Sequence, residues 1–484
     1  MAPDSRAARR ALLGVLCIAM GGVTSAQADD IVTPTSPSGV SKGPYFVGVD
    51  TTSAWVFVET LGPAQLSVRA EPELRLAEPD VNRVAAAEVM EVGRAEAATA
   101  EADAEVVGAD ASAPVGAEVA PNGTVSAREA RVSTRPWRED GRALGAIQLR
   151  GLRPDTAYTV RAGNATGTLR TAPVEAEQLS FIVYGDNRTQ HQQHRAVVRA
   201  VAAEPNVRFI LHTGDLVEMG GRATDWDTAF EISSELFRRT PIFPSLGNHE
   251  IYGPGESGRA AYHRHLVPPG ARVAYYDRRF GPVRIVALDS NEPFDEDSAQ
   301  LRWLRRRLDE GSDARFTFVV LHHGPISSGR HGGHEGMREQ GVPELLRDAG
   351  VDLVFSGHDH MYERGDSEGY RYIVSGGGGA PLYGVNRRLE SQLAFVPAYH
   401  YLRIDIDGEE LRMTAKLPEG ETLEACELSA GGWRCEGGSA RGPIAEGEPP
   451  EGDWGLLRSL AFAGVSLLGL FLLWRSRKRR RAGR

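Results

Sequence analysis

The sequence predicts an α/β fold, with mixed β-sheets flanked by helices, preceded by a small all-β sandwich and followed by one transmembrane helix. Three observations predict it. Short apolar runs alternate with helical patterns over residues 178–416. Residues 38–174 begin and end with strand-like alternation of apolar and polar side chains. A long apolar run occupies residues 454–474.

Length and charge limit the classes of function. The 484 residues, 41% of them hydrophobic, are enough for two cores of ordinary domain size. The net charge of -10 argues against a nucleic-acid partner, because neutralising phosphates needs a basic patch. Residues 71–130 carry 13 acidic and 4 basic side chains, a balance of -9 that leaves -1 for the rest. The sequence leaves the oligomeric state open.

Residues 1–28 have the pattern of a secretory signal peptide. A basic start precedes the apolar run 11–23, and the small residues Ala26 and Ala28 mark a cleavage site. The run is too short to span a hydrocarbon core of about 30 Å, which disfavours an anchor here. The pair Arg9-Arg10 leaves a twin-arginine signal open as an alternative.

The small β domain at 38–174 contains an acidic insert. The run from Gly151 to Arg161, which includes Leu152, Pro154, Thr156 and Tyr158, resembles a fibronectin type III-like sandwich with Tyr158 as its corner tyrosine. The insert at 71–130 repeats Ala, Glu and Val without a helical or strand period, which predicts a flexible segment. A long exposed helix is the alternative, since Ala and Glu favour helix.

Five apolar runs between residues 178 and 416 end in Asp, Asn or His. They lie at 179–184, 207–212, 241–246, 316–321 and 351–355. Helical patterns lie between them at 196–203, 228–239 and 299–308. Because loops at strand ends converge over a rigid sheet, polar residues there are candidates for a site.

The ends of these runs carry the residues of a metal site. The motifs are Gly185-Asp186-Asn187-Arg188, Gly214-Asp215, Gly247-Asn248-His249-Glu250, His322-His323 and Gly357-His358-Asp359-His360. Each alone is a common turn, but five in this order are improbable by chance. Carboxylate oxygens and imidazole nitrogens suit borderline metal ions. Asp359 and Glu363 are expected to orient the histidine rings.

These motifs, in this order, resemble the calcineurin-like metallophosphoesterase superfamily, and most closely its purple acid phosphatase-like branch. The resemblance implies a metallophosphoesterase β-sandwich flanked by helices at 178–416, and a purple acid phosphatase N-terminal-like domain at 38–174. It implies a metal-dependent phosphoric ester hydrolase, acid phosphatase-like, that acts on small-molecule phosphomonoesters. A phosphodiesterase or nucleotidase on the same site is the alternative, and a non-catalytic cell-surface binding protein is another.

The resemblance also implies two metal ions, drawn from Fe, Mn and Zn, with a bridging hydroxide as the nucleophile. The implied ligands are Asp186, Asp215, Asn248, His322, His358 and His360. Asp215 bridges both ions, Asp186 and His360 complete the first, and the other three complete the second. The family's alignment prefers His322 to His323, which spacing alone does not separate, and His323 stays a catalytic candidate. His249 resembles the family's acid histidine, which protonates the leaving group.

Two positions depart from the family pattern. Glu218 stands where purple acid phosphatases have a metal-binding Tyr, so no purple colour is expected. Arg188 stands where many other members have a His ligand. It cannot bind a cation but can contact a phosphate bidentately, and a surface salt bridge is the alternative. The first metal is therefore short of protein ligands, and Glu218 or solvent is expected to complete it.

Several other side chains are candidates for the rim of the site. His331 and His334 lie in a glycine-rich loop that could close over substrate, and solvated loop histidines are the alternative. Tyr362 and Arg364 are expected at the rim for the same reason.

The C-terminal segment predicts a membrane anchor. Cys426 and Cys435 predict a disulfide hairpin in the segment 417–453, which ends in a Gly-, Pro- and Glu-rich spacer. Residues 454–474 predict a transmembrane helix, and the basic tail 475–484 places its end in the cytoplasm. We therefore expect an exported enzyme anchored with its catalytic domain on the periplasmic or extracellular side. A cleaved sorting signal is the alternative.

Overall fold

The computed structural model describes residues 39–73, 128–429 and 432–436. The predicted signal peptide, most of the acidic insert, the spacer, the transmembrane segment 454–474 and the basic tail lie outside the described residues. Within the described ranges, no helix is both long and apolar enough to cross a bilayer.

The described part of the N-terminal region is an eight-stranded β sandwich. Its strands are β1 (Val40–Val47), β2 (Ser53–Thr60), β3 (Gln65–Pro72), β4 (Arg128–Ser133), β5 (Arg135–Pro136), β6 (Ala143–Arg150), β7 (Ala157–Ala162) and β8 (Ala165–Arg170). Strands β4, β3, β7 and β8 form one layer, and β1, β2, β6 and β5 form the other. The backbone N–H of Arg153 donates to Tyr158 Oη over 2.8 Å, as a corner tyrosine does. The fibronectin type III-like assignment stays a prediction.

The acidic insert leaves and rejoins the sandwich at one point. Strands β3 and β4 are paired antiparallel, with Ala70 opposite Arg128. The insert therefore connects the adjacent ends of a hairpin, which explains how the sandwich can accommodate it without a change in topology.

The region from Gln178 onward combines two sheets with helices. Its strands are β9 (Gln178–Tyr184), β10 (Val207–His212), β11 (Ile242–Pro244), β12 (Tyr276–Phe280), β13 (Val283–Ala287), β14 (Phe316–Val320), β15 (Leu353–Ser356), β16 (Tyr362–Ser367), β17 (Tyr370–Ser375), β18 (Gln392–Val396), β19 (Tyr401–Asp407), β20 (Glu410–Lys416), β21 (Thr422–Ser429) and β22 (Gly432–Glu436). Its helices are α1 (His191–Ala203), α2 (Ala223–Phe237), α3 (Asn248–Ile251), α4 (Ser257–Leu266), α5 (Ala299–Asp309), α6 (Glu335–Glu339) and α7 (Val342–Asp348). The α/β fold with mixed sheets is confirmed, and each predicted strand and helix of this region is found.

Local chemistry explains where these elements begin and what they bury. Helix α5 is capped by Ser298, whose Oγ accepts the backbone N–H of Leu301 and so satisfies a free donor of the first turn. Leu301, Leu304 and Leu308 recur at helical spacing and are buried against the sheet. The apolar stripe predicted from the sequence is therefore the face that packs.

The sandwich and the larger region share one sheet. In the described residues, the order is β22-β21-β20-β19-β9-β10-β11-β1-β2-β6-β5, and the second large sheet runs β12-β13-β14-β15-β17-β16-β18. Strand β1 joins β11 in parallel through Val47 and Ile242. One layer of the N-terminal sandwich thus continues the sheet whose strands β9, β10 and β11 precede Asp186, Asp215 and Asn248.

Aromatic side chains hold the two large sheets together. Phe181 on β9 stacks on Phe209 of β10 at 4.7 Å between ring centres. Across the layer it contacts Phe318 on β14 at 5.4 Å. These rings are buried and fix the relative position of the two sets of strand ends, which is where the motifs lie.

The disulfide hairpin continues the sheet beyond residue 416, where the sequence placed the end of the catalytic region. Cys426 on β21 faces Cys435 on β22, and the two form the predicted disulfide. Tyr362 and Arg364 were expected at the rim of the site, and this is wrong. Both are buried and bind the carboxylate of Glu424 on β21, at 2.6 and 2.7 Å, so they fasten the hairpin to the core.

Candidate metal centre

The predicted ligands converge where strands of both large sheets end. Asp186 follows β9, Asp215 follows β10, Asn248 begins α3 after β11, His322 follows β14, and His358 and His360 follow β15. Side chains from chain positions more than 170 residues apart thus meet in one place, with the backbone N–H of His358 donating to Asp186 Oδ1 over 3.0 Å. The structure brings all six predicted ligands together.

One group of predicted metal ligands surrounds His322. Its Nδ1 lies 2.8 Å from the carbonyl oxygen of Thr213, so Nδ1 carries the proton and Nε2 presents a lone pair. That Nε2 lies 3.0 Å from Asn248 Oδ1 and 3.4 Å from Asp215 Oδ1. The Asn248 amide donates to Tyr252 Oη over 2.8 Å, which leaves Oδ1 as an acceptor. Three acceptors therefore face one another with no proton to share, and a cation is the partner that satisfies them.

A second group lies on the other side of Asp215. His360 Nδ1 is 2.6 Å from the carbonyl oxygen of Pro381, so its Nε2 also presents a lone pair. This Nε2 is 3.6 Å from Asp186 Oδ1. Donor types and spacing again fit a cation. Two adjacent positions for cations, sharing Asp215, are compatible with this arrangement.

His323 lies beside the group of ligands around His322. Its Nδ1 contacts Ser290 Oγ at 2.7 Å, and its ring is 4.1 Å from that of His358. One ligand atom each of His322, His323 and His358 fall within 4.8 Å of one another. The contact of His322 with Asp215 distinguishes it from His323, whose position is next to the metal donors and open to the pocket.

The two buried carboxylates at the centre repel each other. Burial and Asp215 both raise the pKa of Asp186. Burial also raises the pKa of Asp215, but two neighbouring histidines and Arg188 outweigh burial and bring that pKa to about 2. An ionised Asp215 beside a second carboxylate is a site of concentrated negative charge, which bound cations would neutralise.

The imidazoles are held in the form that binds metal. Burial, together with repulsion from Arg188, lowers the pKa of His360 to about 3. Burial likewise lowers the pKa of His322 and, with neighbouring histidines, the pKa of His358. The rings are therefore neutral at pH 7, as metal coordination requires.

The backbone around the ligands is strained. Asp186, Asp215 and His358 have φ values of 56°, 57° and 70°, in the left-handed region that residues with a side chain rarely adopt. Such conformations cost about 1 to 3 kcal/mol each, persist only where the surrounding structure enforces them, and cluster at functional sites. Close packing around the ligands also requires glycine at position 357. A Cβ on Gly357 would lie 2.2 Å from Asp186 Oδ2.

His249 lies on the pocket side of Asp215. Its Nδ1 is 2.6 Å from the carbonyl oxygen of Glu218, so Nδ1 donates and Nε2 is available for a proton. Nε2 lies 3.9 Å from Asp215 Oδ2. The backbone N–H of His249 donates to Asp215 Oδ1 over 3.0 Å, which ties the histidine to the metal donors.

Asp359 and Glu363 do not orient the histidine rings, so that expectation is wrong. Asp359 accepts from Ser327 Oγ at 2.6 Å and from the backbone N–H of His331 at 2.9 Å. Glu363 accepts from both the N–H and the hydroxyl of Ser328. The two carboxylates instead anchor the loop that follows β14, and backbone carbonyls orient the rings.

The pocket above the donors has a volume of about 430 Å³. Arg188, Asn248, His249, Tyr252, His323, Arg330, His331, His358 and Tyr383 line it. The sequence did not single out Arg330, Tyr252 or Tyr383, although Arg330 and Tyr383 lie in the glycine-rich stretches after β14 and β17. Proximity of such stretches to the motifs was the available signal.

The two loop histidines have different positions. The His331 ring is 4.3 Å from that of His358 and 5.5 Å from that of Tyr383, so His331 faces the pocket. His334 instead caps α6, with Nδ1 accepting the backbone N–H of Met337 over 3.2 Å. Only the first of the pair is placed to contact a bound molecule.

Comparisons with known proteins agree with the geometry. Residues 179–362 match the family model of calcineurin-like phosphoesterases. An uncharacterised protein of Mycobacterium tuberculosis is 28% identical over 262 residues, 45% of this chain and 49% of that protein. Purple acid phosphatase 22 of Arabidopsis thaliana is 28% identical over 260 residues, 48% of this chain and 59% of that protein. The chain thus spans about half the length of the curated relatives it matches.

Solved structures share the fold. A purple acid phosphatase from yellow lupin seeds superposes with a TM-score of 0.61 at 15% identity, covering 79% of this chain and 73% of that one. A structure of PhoD superposes with a TM-score of 0.56 at 12% identity, covering 84% and 93%. The superposed regions are longer than the matched family region 179–362.

Proposed function

Because residues 179–362 match the family model of calcineurin-like phosphoesterases, we propose that the chain is a metal-dependent hydrolase of phosphate esters. The observation that carries the proposal is the meeting of lone pairs from His322, Asn248 and Asp215 with no proton between them. We assign the cations to Asp186, Asp215, Asn248, His322, His358 and His360. Their identity, among Fe, Mn and Zn, is open to direct measurement.

The bound cations would supply Lewis acidity and an activated water. The chain's own residues would then bind the ester and move its protons. His249 is placed to donate a proton from Nε2 to the departing oxygen, because its Nδ1 is already fixed by the Glu218 carbonyl. Arg188 and His323 both line the pocket, so a phosphate bound there could contact either side chain.

The charge of the pocket favours phosphomonoesters over diesters. The described residues that line it include Arg188 and Arg330 and no carboxylate. A monoester carries up to two negative charges near neutral pH and a diester one, so the monoester gains more from this surface. Comparing kcat/KM on an aryl monophosphate and on a bis-aryl phosphate tests this, and a preference for the diester would favour the phosphodiesterase alternative.

The first test of the proposal is Asp215→Asn with p-nitrophenyl phosphate, after reconstitution with Mn, Zn or Fe. Loss of partners behind metal ligands already costs about 10- to 100-fold, so loss of a ligand charge should cost more than 100-fold. Near-normal turnover by the variant would refute the assignment. No turnover by the wild-type protein with any of the three metals would favour the surface-binding alternative.

The second test separates proton donation from metal binding. His249→Ala should lower kcat by about 100- to 10,000-fold for an alkyl phosphate, whose leaving group needs a proton. The loss should be much smaller for p-nitrophenyl phosphate, since its leaving group is stable as an anion. Equal losses on the two substrates would contradict a role as general acid.

We also propose that the protein is exported. The Cys426–Cys435 disulfide supports it, because such bonds persist in oxidising compartments. Anchoring through residues 454–474 stays a prediction. Fractionation of cells that express the full chain or a chain ending at residue 453 tests it, since only the full chain should sediment with membranes.

A further inference from the structure

The guanidinium of Arg188 lies among the predicted ligands of the first cation, the one assigned to Asp186 and His360. Its Nε is 3.2 Å from Asp215 Oδ2, and one terminal nitrogen is 3.0 Å from Glu218 Oε2. The other terminal nitrogen is 3.4 Å from His360 Nε2. The side chain is only 12% exposed, so this is a packed position and not a surface salt bridge.

These contacts use the lone pairs that a cation there would need. His360 Nδ1 is committed to the Pro381 carbonyl, so Nε2 has one lone pair, and Arg188 points a donor at it. A guanidinium has no lone pair of its own and cannot become a ligand. It would also repel a cation a few ångströms away. Arg188 and a cation therefore cannot both hold His360 and Asp215 Oδ2 in this geometry.

The cation position beside Asn248 and His322 is arranged differently. His322 Nε2 lies 3.0 Å from Asn248 Oδ1 and 3.4 Å from Asp215 Oδ1, and the orientation of the amide and the ring leaves these lone pairs to a cation. The oxygen of Asp215 that belongs to this group is not the one that Arg188 contacts. The same carboxylate is thus divided between a cation position and a guanidinium.

We infer that Arg188 competes with the cation at the position of Asp186 and His360. The protein then holds one ion tightly at the position of Asn248 and His322, and it binds a second ion, beside His360, only when Arg188 moves away. This rests on the proposed function for the assignment of the ligands. Arg188 also lines the pocket, so the displaced guanidinium can remain there and meet a phosphate. Phosphate and the second ion should therefore favour each other's binding, and by linkage the effect is reciprocal.

The test measures bound metal, not activity. Metal-free full-length protein in detergent is dialysed against a series of buffered free Mn²⁺ concentrations, and bound Mn per chain is measured by elemental analysis. The wild type should bind one ion tightly and a second roughly 10- to 100-fold more weakly, the range by which neighbouring groups alter metal affinity. Arg188→Gln and Arg188→His should bind both ions tightly. Inorganic phosphate should tighten the second ion in the wild type.

Two further variants separate charge from folding. Arg188→Lys keeps a positive charge beside the site and should behave like the wild type. Arg330→Gln removes a pocket arginine that lies 5.5 Å from the Tyr383 ring, and should also leave the metal count unchanged. Thermal melts of each protein show whether it is folded.

The outcomes separate this inference from the proposed function. Two equally tight ions in the wild type, or unchanged binding in Arg188→Gln and Arg188→His, would overturn the competition and leave the phosphoesterase assignment intact. No bound Mn in any folded variant would overturn the metal assignment and the competition with it.

Discussion

Replacing Asp227 by Asn should loosen the contact between the N-terminal sandwich and helix α2. Asp227 accepts from Lys42 Nζ at 2.6 Å and from Arg138 at 2.5 Å, and Arg142 is 3.1 Å away. All three cations belong to the sandwich, while Asp227 lies on α2. Lys42 also binds Glu59 at 2.8 Å, and Arg138 also binds Asp140 at 2.9 Å, so three carboxylates serve three cations. Loss of one carboxylate leaves the cations underpaired.

The expected cost follows from burial. Breaking a fully buried ion pair costs about 3 to 5 kcal/mol, and an exposed pair is worth less than about 1 kcal/mol. The side chains of Lys42 and Asp227 are 6% and 23% exposed, which is near the buried end. We therefore expect Asp227→Asn to lower the free energy of unfolding by about 3 kcal/mol. Urea denaturation followed by circular dichroism measures it.

The effect should depend on pH in a defined direction. Burial raises the pKa of Asp227, but Lys42 and the arginines outweigh burial and lower it below the usual value. Its contribution is therefore present above the unfolded pKa of about 3.9 and is lost as the pH falls through the lower folded pKa. The difference between wild type and variant should be constant from pH 5 to pH 8 and shrink towards pH 3.

A matched control lies on the same helix. Glu231 pairs with Arg195 at 2.7 Å, but its side chain is 50% exposed. Glu231→Gln should change stability by less than about 0.5 kcal/mol. Two results would show that the network does not hold the sandwich to α2. One is a cost of Asp227→Asn no larger than that of this control, and the other is a cost that stays the same as the pH is lowered from 5 to 3.

Three further predictions concern the core and the hairpin. Glu424→Gln should cost about 3 kcal/mol in urea denaturation, because Arg364 then loses its buried carboxylate, and a cost below about 1 kcal/mol would contradict this. Cys426→Ser with Cys435→Ser should cost about 2 to 3 kcal/mol relative to the oxidised wild type, through the greater freedom of the unfolded chain, and the reduced wild type should match the variant. Phe209→Ala should cost about 3 to 5 kcal/mol by leaving a cavity between the sheets, while the same change at Leu393, which is 45% exposed, should cost under about 0.5 kcal/mol.

The sequence predicted the motif-bearing part of the fold well because each strand there is a short buried run with a clear end. The run at 207–212 coincides with β10, and the run at 299–308 differs from α5 by one residue. The joining of β1 to β11 was not predicted. That contact depends on one parallel register between strands almost 200 residues apart, and local periodicity contains no information about it.

The groups that orient the metal donors were also beyond the sequence. Asp359 and Glu363 were reasonable candidates because carboxylates often accept from ligand histidines. The structure uses the carbonyls of Thr213 and Pro381 instead. Every residue has a carbonyl, so no residue type marks the two that matter. Only the fold, by placing β10 and the loop after β17 beside the rings, selects them.

Arg188 shows how far a single residue type can be interpreted. Its sequence position indicated that a ligand was missing from the first cation position, and its chemistry indicated a contact with phosphate. Neither indicated that the guanidinium itself would engage Asp215, Glu218 and His360. A change at Arg188 should therefore alter how the second ion binds before it alters the fold.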